Sequence, residues 1–439
     1  MTINKKSRTT PSLLSAMVFI CAVFMVTLCG TGVTYGLTHS SNITSDETWY
    51  TADNPHIVTG GIHVYNNATL KIEAGCQVRF DPGAVLYFGY YSGAALNATG
   101  TSLNPITFTS NAATPAPNDW DGIVFFNSTD DASTIMDYCT VEYGGYSAYQ
   151  SNIYCNTASP TIQNCTIRHS GEYGIYCDNY SAPTLINNTI SNNGWFPITL
   201  NCNNLDTHVA GNTGSGNGTD AIEVRGGGIT SSHTWVPQDF NFTVTDSIHV
   251  YNDAILTINP GCLVKFRQGT GLYIGYYSGA TLNATGTSLN PITFTSGVAT
   301  PAPDDWEGIV FFNSTVDAST IMDYCTVEYG GFRSYHSNIN CNNSSPTIQN
   351  CTIRYSDEYG IYCDDASAPT LTNNTISNNG AFPISLFCNL LDTNVTGNTG
   401  SSNGTNAIEV RGGGITLSRT WVPQDFYFNV TGSGIHVFS

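Results

Sequence analysis

The stretch Pro160–Ile190 reads PTIQNCTIRHSGEYGIYCDNYSAPTLINNTI, and it repeats itself. PTIQNCTI from Pro160 returns as PTLINNTI from Pro183, 23 residues later, and a third relative, DTHVAGNT from Asp206, follows after another 23. Alongside runs a second family of short apolar segments on nearly the same pitch: NIYC at Asn152, GIYC at Gly174, PITL at Pro197 and AIEV at Ala221. Each period thus carries at least two short β-branched strands, separated by Asn, Gly, Ser and Asp of the kind that turn a chain. Helical periodicity is absent beyond the N-terminal leader. Coils of this length stacked in register bury their Ile, Val, Leu and Phe positions in one core and leave open edges only at the ends. The pattern predicts an all-β, right-handed parallel β-helix, a solenoid.

A longer period encloses the short one. Trp49 matches Trp235, Trp120 matches Trp306, Cys139 matches Cys325 and Gly226 matches Gly412, each pair 186 positions apart. DWDGIVFFNST at Asp119–Thr129 returns as DWEGIVFFNST at Asp305–Thr315 with no insertion or deletion between. Residues 48–233 form the first copy and 234–419 the second, after a linker at 37–47. Residues 420–439 restart the unit and stop, as the start of a truncated third copy, which favours a fragment of a longer array because the stub leaves a stacked core open. At roughly eight coils per copy and ~4.8 Å per rung, each copy adds about 40 Å of rod.

Residues 1–36 place Lys5, Lys6 and Arg8 before an apolar run, as a signal peptide or an uncleaved N-terminal membrane anchor does, so the rest is expected to be secreted or on the cell surface. Without those three cations the chain keeps ten basic against 32 acidic side chains, a formal charge of about −22. Such a surface excludes nucleic acid as a partner and leaves membrane contact to the N-terminal segment alone. It suits solubility outside the cell and admits Ca²⁺, although no metal-ligand motif is present.

The runs NPITFTS (Asn104–Ser110 and Asn290–Ser296), TPAPNDWDGI (Thr114–Ile123) and TIMDYCTVEYGG (Thr134–Gly145) resemble those of extracellular parallel β-helix repeat proteins of the pectate-lyase-like superfamily. The likeness covers nearly all of residues 48–419. It implies the fold and leaves function among polysaccharide lyases and hydrolases, adhesins and structural surface proteins.

Candidate sites follow from the repeat. Tyrosines cluster in VLYFGYYSGA (Val85–Ala94) and GLYIGYYSGA (Gly271–Ala280), where Tyr87, Tyr90, Tyr91, Tyr273, Tyr276 and Tyr277 are candidates to stack on sugar rings, or else to form ladders from coil to coil. Cys155 with Cys177 and Cys139 with Cys165, matched by Cys341 with Cys363 and Cys325 with Cys351, stand one coil apart, so they are disulfide candidates or buried thiol ladders. Sequons at Asn67, Asn97, Asn127, Asn217, Asn241, Asn283, Asn313, Asn394, Asn403 and Asn429 are glycosylation candidates, with bend or ladder roles as the alternative.

An enzyme of the lyase or hydrolase type would need clustered carboxylates beside an Arg or Lys on neighbouring coils of one groove. Asp119, Asp121, Glu142, Glu172 and Asp178, with Arg168 and Arg225, are the available groups, and all but Asp121, which Glu307 replaces, recur unchanged in type in the second copy. The NTD and GHG segments of the superfamily's hydrolases are missing. The expectation is a non-enzymatic rod, an adhesin, envelope component or polysaccharide-binding element, whose partners are extracellular polysaccharide or surface proteins of other cells. The alternative is a β-helix polysaccharide lyase or glycoside hydrolase.

Overall fold

The computed structural model describes residues 36–438. They form 43 strands and three short 3-10 turns, wound into a parallel β-helix of about 16 turns. The expected signal or anchor helix falls at residues that lie, but for Gly36, outside the described ones. Among the described residues no helix is long and apolar enough to cross a membrane.

Each turn lays down three strands, one per face, as in Thr166–Arg168, Tyr173–Cys177 and Thr184–Ile186 of the first copy. Alternation sends Ile167, Ile175 and Leu185 inward, and each lies in register with its counterparts above and below: Val141, Ile167 and Ile190 on the first face, Ile153, Ile175 and Ile198 on the second, Ile162, Leu185 and Val209 on the third. All nine are fully buried, and the stacks run on into one core that extends from Ile43 to Phe426. Burying each such side chain contributes roughly 1.5–3 kcal/mol, so the core is the main source of stability.

Asparagines make the bends. Asn164, Asn187 and Asn192 adopt φ of 51–55°, a left-handed conformation that Asn tolerates better than most residues. Inside the bends, Asn188 and Asn212 form one amide ladder and Asn193 and Asn217 another, each Nδ2 donating to the Oδ1 of the next rung at 3.0 and 2.9 Å. Those bonds satisfy polar groups that would otherwise be stranded in the core.

Coil length is less regular than the 23-residue period suggests. First-face strands begin at residues 56, 77, 106, 139, 166 and 189, the longer intervals being taken up by loops such as the one before Gly122. A copy therefore winds seven turns and one further face, not eight coils. As a result, a 13-stranded sheet collects the second strand of each first-copy turn, up to Ala221–Arg225, and then continues with the first strand of each second-copy turn, from Asn241–Val244. Equivalent strands of the two copies consequently belong to different sheets, and the second strands of the two copies, which carry the tyrosine clusters, lie on different faces. The strand Tyr427–Val437 stacks on Ala407–Ile415 and continues the helix by another turn.

Candidate functional site

The second strand of each first-copy turn presents one outward row: His63, Tyr87, Val124, Tyr154 and Tyr176, consecutive in register. Tyr87 is half-buried in this row and Tyr154 stacks on Tyr176 at 5.2 Å, so these rings pack coil on coil. After Phe88 the chain turns at Gly89, where φ is 72° and a Cβ would fall 2.3 Å from the Thr129 nitrogen, so only glycine fits. The turn throws Tyr90 and Tyr91 back against His63, with ring centroids 5.4 and 4.8 Å apart, while leaving them 52 and 60% exposed. Burial lowers the pKa of His63, which keeps its ring neutral near pH 7.

The second copy repeats the cluster on its own face: Tyr276 and Tyr277 meet His249 at 5.7 and 5.4 Å and stay exposed, whereas Tyr273 is only 8% exposed. A pocket of about 360 Å³ opens there between Tyr273, Tyr276, Tyr277, Glu307, Arg333 and Tyr335. A second of about 420 Å³ lies on the other side of His249 and Tyr277. Four exposed tyrosines thus offer faces to a ligand, and Tyr87 and Tyr273 support them from beneath. The part of His63 and His249 was not read from the sequence, since a coil separates each from its tyrosines.

Asp121, at the foot of the first cluster, has an unpartnered Oδ1, and burial pushes its pKa up to about 6. Glu307, its counterpart, is also raised by burial but gains Arg333 at 3.6 Å. For an acid whose folded pKa is raised, stability falls as pH rises through the interval from its unfolded value, about 4, to about 6. Asp121→Asn is expected to raise stability at pH 7 by about 1 kcal/mol, after discounting for the solvent that reaches this partly exposed group. The gain vanishes below pH 4. Urea midpoints of the two proteins at pH 7 and at acid pH check it; a gain that persists in acid contradicts it.

A further pocket, about 580 Å³, lies where the copies meet, lined by Asp220 and Glu223 of the first and by Thr243, Lys265 and Arg267 of the second. Its groups come from three successive turns of the 13-stranded sheet. Glu223 accepts a hydrogen bond from Thr199 Oγ1 at 2.8 Å, and Asp220 is held by the backbone of Gly216 and Asn217. Arg79 and Asp81 replace Lys265 and Arg267 in the first copy, so this charge pattern is not duplicated.

The other acid and base candidates are committed locally. Glu142 pairs with Arg168 and Glu328 with Arg354, both at 2.7 Å. Asp119 accepts from the Ser110 hydroxyl at 2.6 Å and braces a loop, Asp178 braces the bend at Tyr180 and Ser181, and Arg225 lies over the Tyr176 ring at 4.8 Å. Glu172 accepts from Gln150 Nε2 at 3.3 Å.

Cys155 is in register with Cys177 and Cys341 with Cys363, and the Cys139 and Cys325 amides donate to Cys165 and Cys351 sulfurs at 3.4 Å. All eight are free thiols in this structure and are buried. Burial, with the neighbouring sulfur, raises the thiol pKa of Cys139 and Cys325, whereas for Cys155 and Cys341 the hydrogen bond with the Cys177 or Cys363 thiol leads and burial adds to it. Among the sequons, Asn67, Asn127 and Asn313 are exposed, and Asn97, Asn241, Asn283, Asn394 and Asn429 are partly so. Asn217 and Asn403 differ: each is nearly buried, with Nδ2 donating at 3.0 Å to the carbonyl of Ile190 or Ile376, and a glycan there would dismantle the ladder.

A β-helix repeat protein with an aromatic patch on each copy is the class that fold and surface define. The family model described as pectate-lyase like beta helix domain matches residues 41–150 and 227–359, more than half of the chain, and the protein belongs to that family. The two matches begin at equivalent positions of the two copies. No curated protein and no solved structure matches the chain.

Proposed function

We propose that the protein is an extracellular rod that binds polysaccharide through its tyrosine–histidine clusters, one per copy, without cleaving it. The observation that carries this reading is the pair of exposed tyrosines held against a neutral, partly buried histidine in each copy. Flat rings fixed in place present apolar area to a sugar face at little entropic cost. The acidic exterior and exposed sequons suit an extracellular setting, and surface proteins of other cells remain partners of the same kind. Because the copies present their clusters on different faces, a flexible polymer wrapping the rod engages both, whereas a flat surface meets one at a time.

A calorimetric titration with neutral and acidic polysaccharides tests the reading. Replacing Tyr276 and Tyr277 by alanine is expected to weaken binding about tenfold, and replacing Tyr90 and Tyr91 as well to remove the avidity gain, at least another tenfold. Binding that survives all four replacements overturns the proposal. The same incubations decide a second reading, favoured by the junction pocket, in which Glu223, Asp220, Lys265 and Arg267 form the site of a lyase or hydrolase. Released reducing ends or unsaturated products that disappear with Arg267→Ala would establish it.

A further inference from the structure

The two copies share about three quarters of their residues at equivalent positions, so places where the differences cluster in space show where one copy can do what the other cannot. Three such departures meet at one point. Asn118, Gln150 and Gly171 of the first copy become Asp304, His336 and Asp357 in the second, while Glu172 is kept as Glu358. In the first copy this spot holds one carboxylate, with Gln150 Nε2 donating to Glu172 at 3.3 Å and the Asn118 amide lying where a Gly171 side chain would begin. In the second copy His336 Nδ1 stands 3.6 Å from Asp357 Oδ2 and 3.6 Å from Glu358 Oε1, and the three ligand atoms all lie within 4.8 Å of one another.

We propose that His336, Asp357 and Glu358 form a binding site for a divalent transition ion, present in the second copy and absent from the first. The two separations from His336 are close to the roughly 3.4 Å edge of a tetrahedron with bonds of about 2.1 Å, and the third lies within 4.8 Å, so side-chain rotation of the carboxylates completes the set. An imidazole nitrogen beside two carboxylates selects Zn²⁺, Co²⁺ or Mn²⁺ over Ca²⁺, which takes oxygen ligands. Coil stacking fixes the backbone that carries the ligands: the Tyr359 amide donates to the His336 carbonyl at 2.9 Å and the Asp357 amide to the Gly330 carbonyl at 3.4 Å, while the side chains themselves are half exposed. Asp304 adds negative charge alongside, its carboxyl raised by burial and by the neighbouring Asp357 charge. A bound ion would pin the segment 332–336, whose Arg333 and Tyr335 wall the aromatic pocket. The site stands independently of the polysaccharide reading, since metal binding is measured without glycan.

The test is titration of the whole chain with Co²⁺ and Zn²⁺, following calorimetric stoichiometry and the Co²⁺ visible spectrum. One ion per chain is expected, with no thiolate charge-transfer band, and it is lost in the double variant His336→Gln, Asp357→Gly, which restores first-copy residues. The reciprocal variant, Asn118→Asp with Gln150→His and Gly171→Asp, is expected to raise the stoichiometry to two. A wild-type chain that binds no ion, a double variant that binds it as well as wild type, or a folded reciprocal variant that stays at one ion overturns the proposal.

Discussion

Trp306→Ala lowers the stability of the second copy by about 3–5 kcal/mol, the cost of emptying a large core site that cannot collapse. Trp306 is fully buried, stacks on Phe266 at 4.2 Å with the rings 11° from parallel, and donates through Nε1 to the Glu328 carbonyl at 2.8 Å. Truncation therefore removes the ring and also strands a carbonyl, worth about 1 kcal/mol more. Because each turn of a solenoid touches only its neighbours, the loss stays local. Hydrogen exchange is expected to quicken in the turns around residues 263–354 while the strands at 56–110 keep their protection. Trp120→Ala, whose ring stacks on Phe80 at 3.8 Å, produces the mirror result in the first copy. A uniform loss of protection along the rod would show that the copies unfold as one unit.

Asn212→Leu is the second large effect, about 3 kcal/mol, even though the new side chain is apolar and the site lies in the core. Asn212 Oδ1 accepts from the Asn188 amide at 3.1 Å and from Asn188 Nδ2 at 3.0 Å, while its Nδ2 donates to the Leu185 carbonyl at 2.9 Å and to Gln238 Oε1 at 3.1 Å. Leucine removes all four bonds; Asn188 Nδ2 keeps the Ile162 carbonyl and Gln238 Oε1 keeps the backbone amide of residue 212, while the Asn188 amide and the Leu185 carbonyl lose a partner, at about 1–3 kcal/mol each if water cannot reach them, against roughly 2 kcal/mol regained from burial. The unpaired groups win. Asn187→Gly, at the equivalent bend one coil earlier and next to the ladder partner Asn188, is the control: Asn187 is exposed with φ of 55°, and glycine adopts that conformation freely. Denaturant midpoints separate the two, and an Asn212→Leu protein as stable as the control would mean that water replaces the ladder.

Much of the architecture was legible because it is periodic. The recurrence of PTIQNCTI and PTLINNTI after 23 residues places Ile162 over Leu185, as the register confirms, and β-branched residues between Asn-rich bends leave few alternatives to stacked parallel coils. The pairing of Cys155 with Cys177 in register followed from the same spacing. Asn217 and Asn403 were harder, since a sequon and a ladder amide are the same residue and only burial separates them.

The sequence by itself determined the repeat, the parallel coils and the aromatic segments, because these depend on neighbours one fixed period apart. Only the tertiary structure decided which face each segment occupies. Between Val209–Ala210 and Ala221–Arg225 the first face keeps only the bridge at Thr213, and Gly227–Ile229 opens a new sheet, so the strands of the second copy enter sheets one step out of phase with those of the first. That step sets Glu223 beside Lys265 and Arg267, and turns the two tyrosine clusters in different directions. His336 meets Asp357 and Glu358 through the stacking of one particular turn on the next, a contact whose spacing depends on the loop between them.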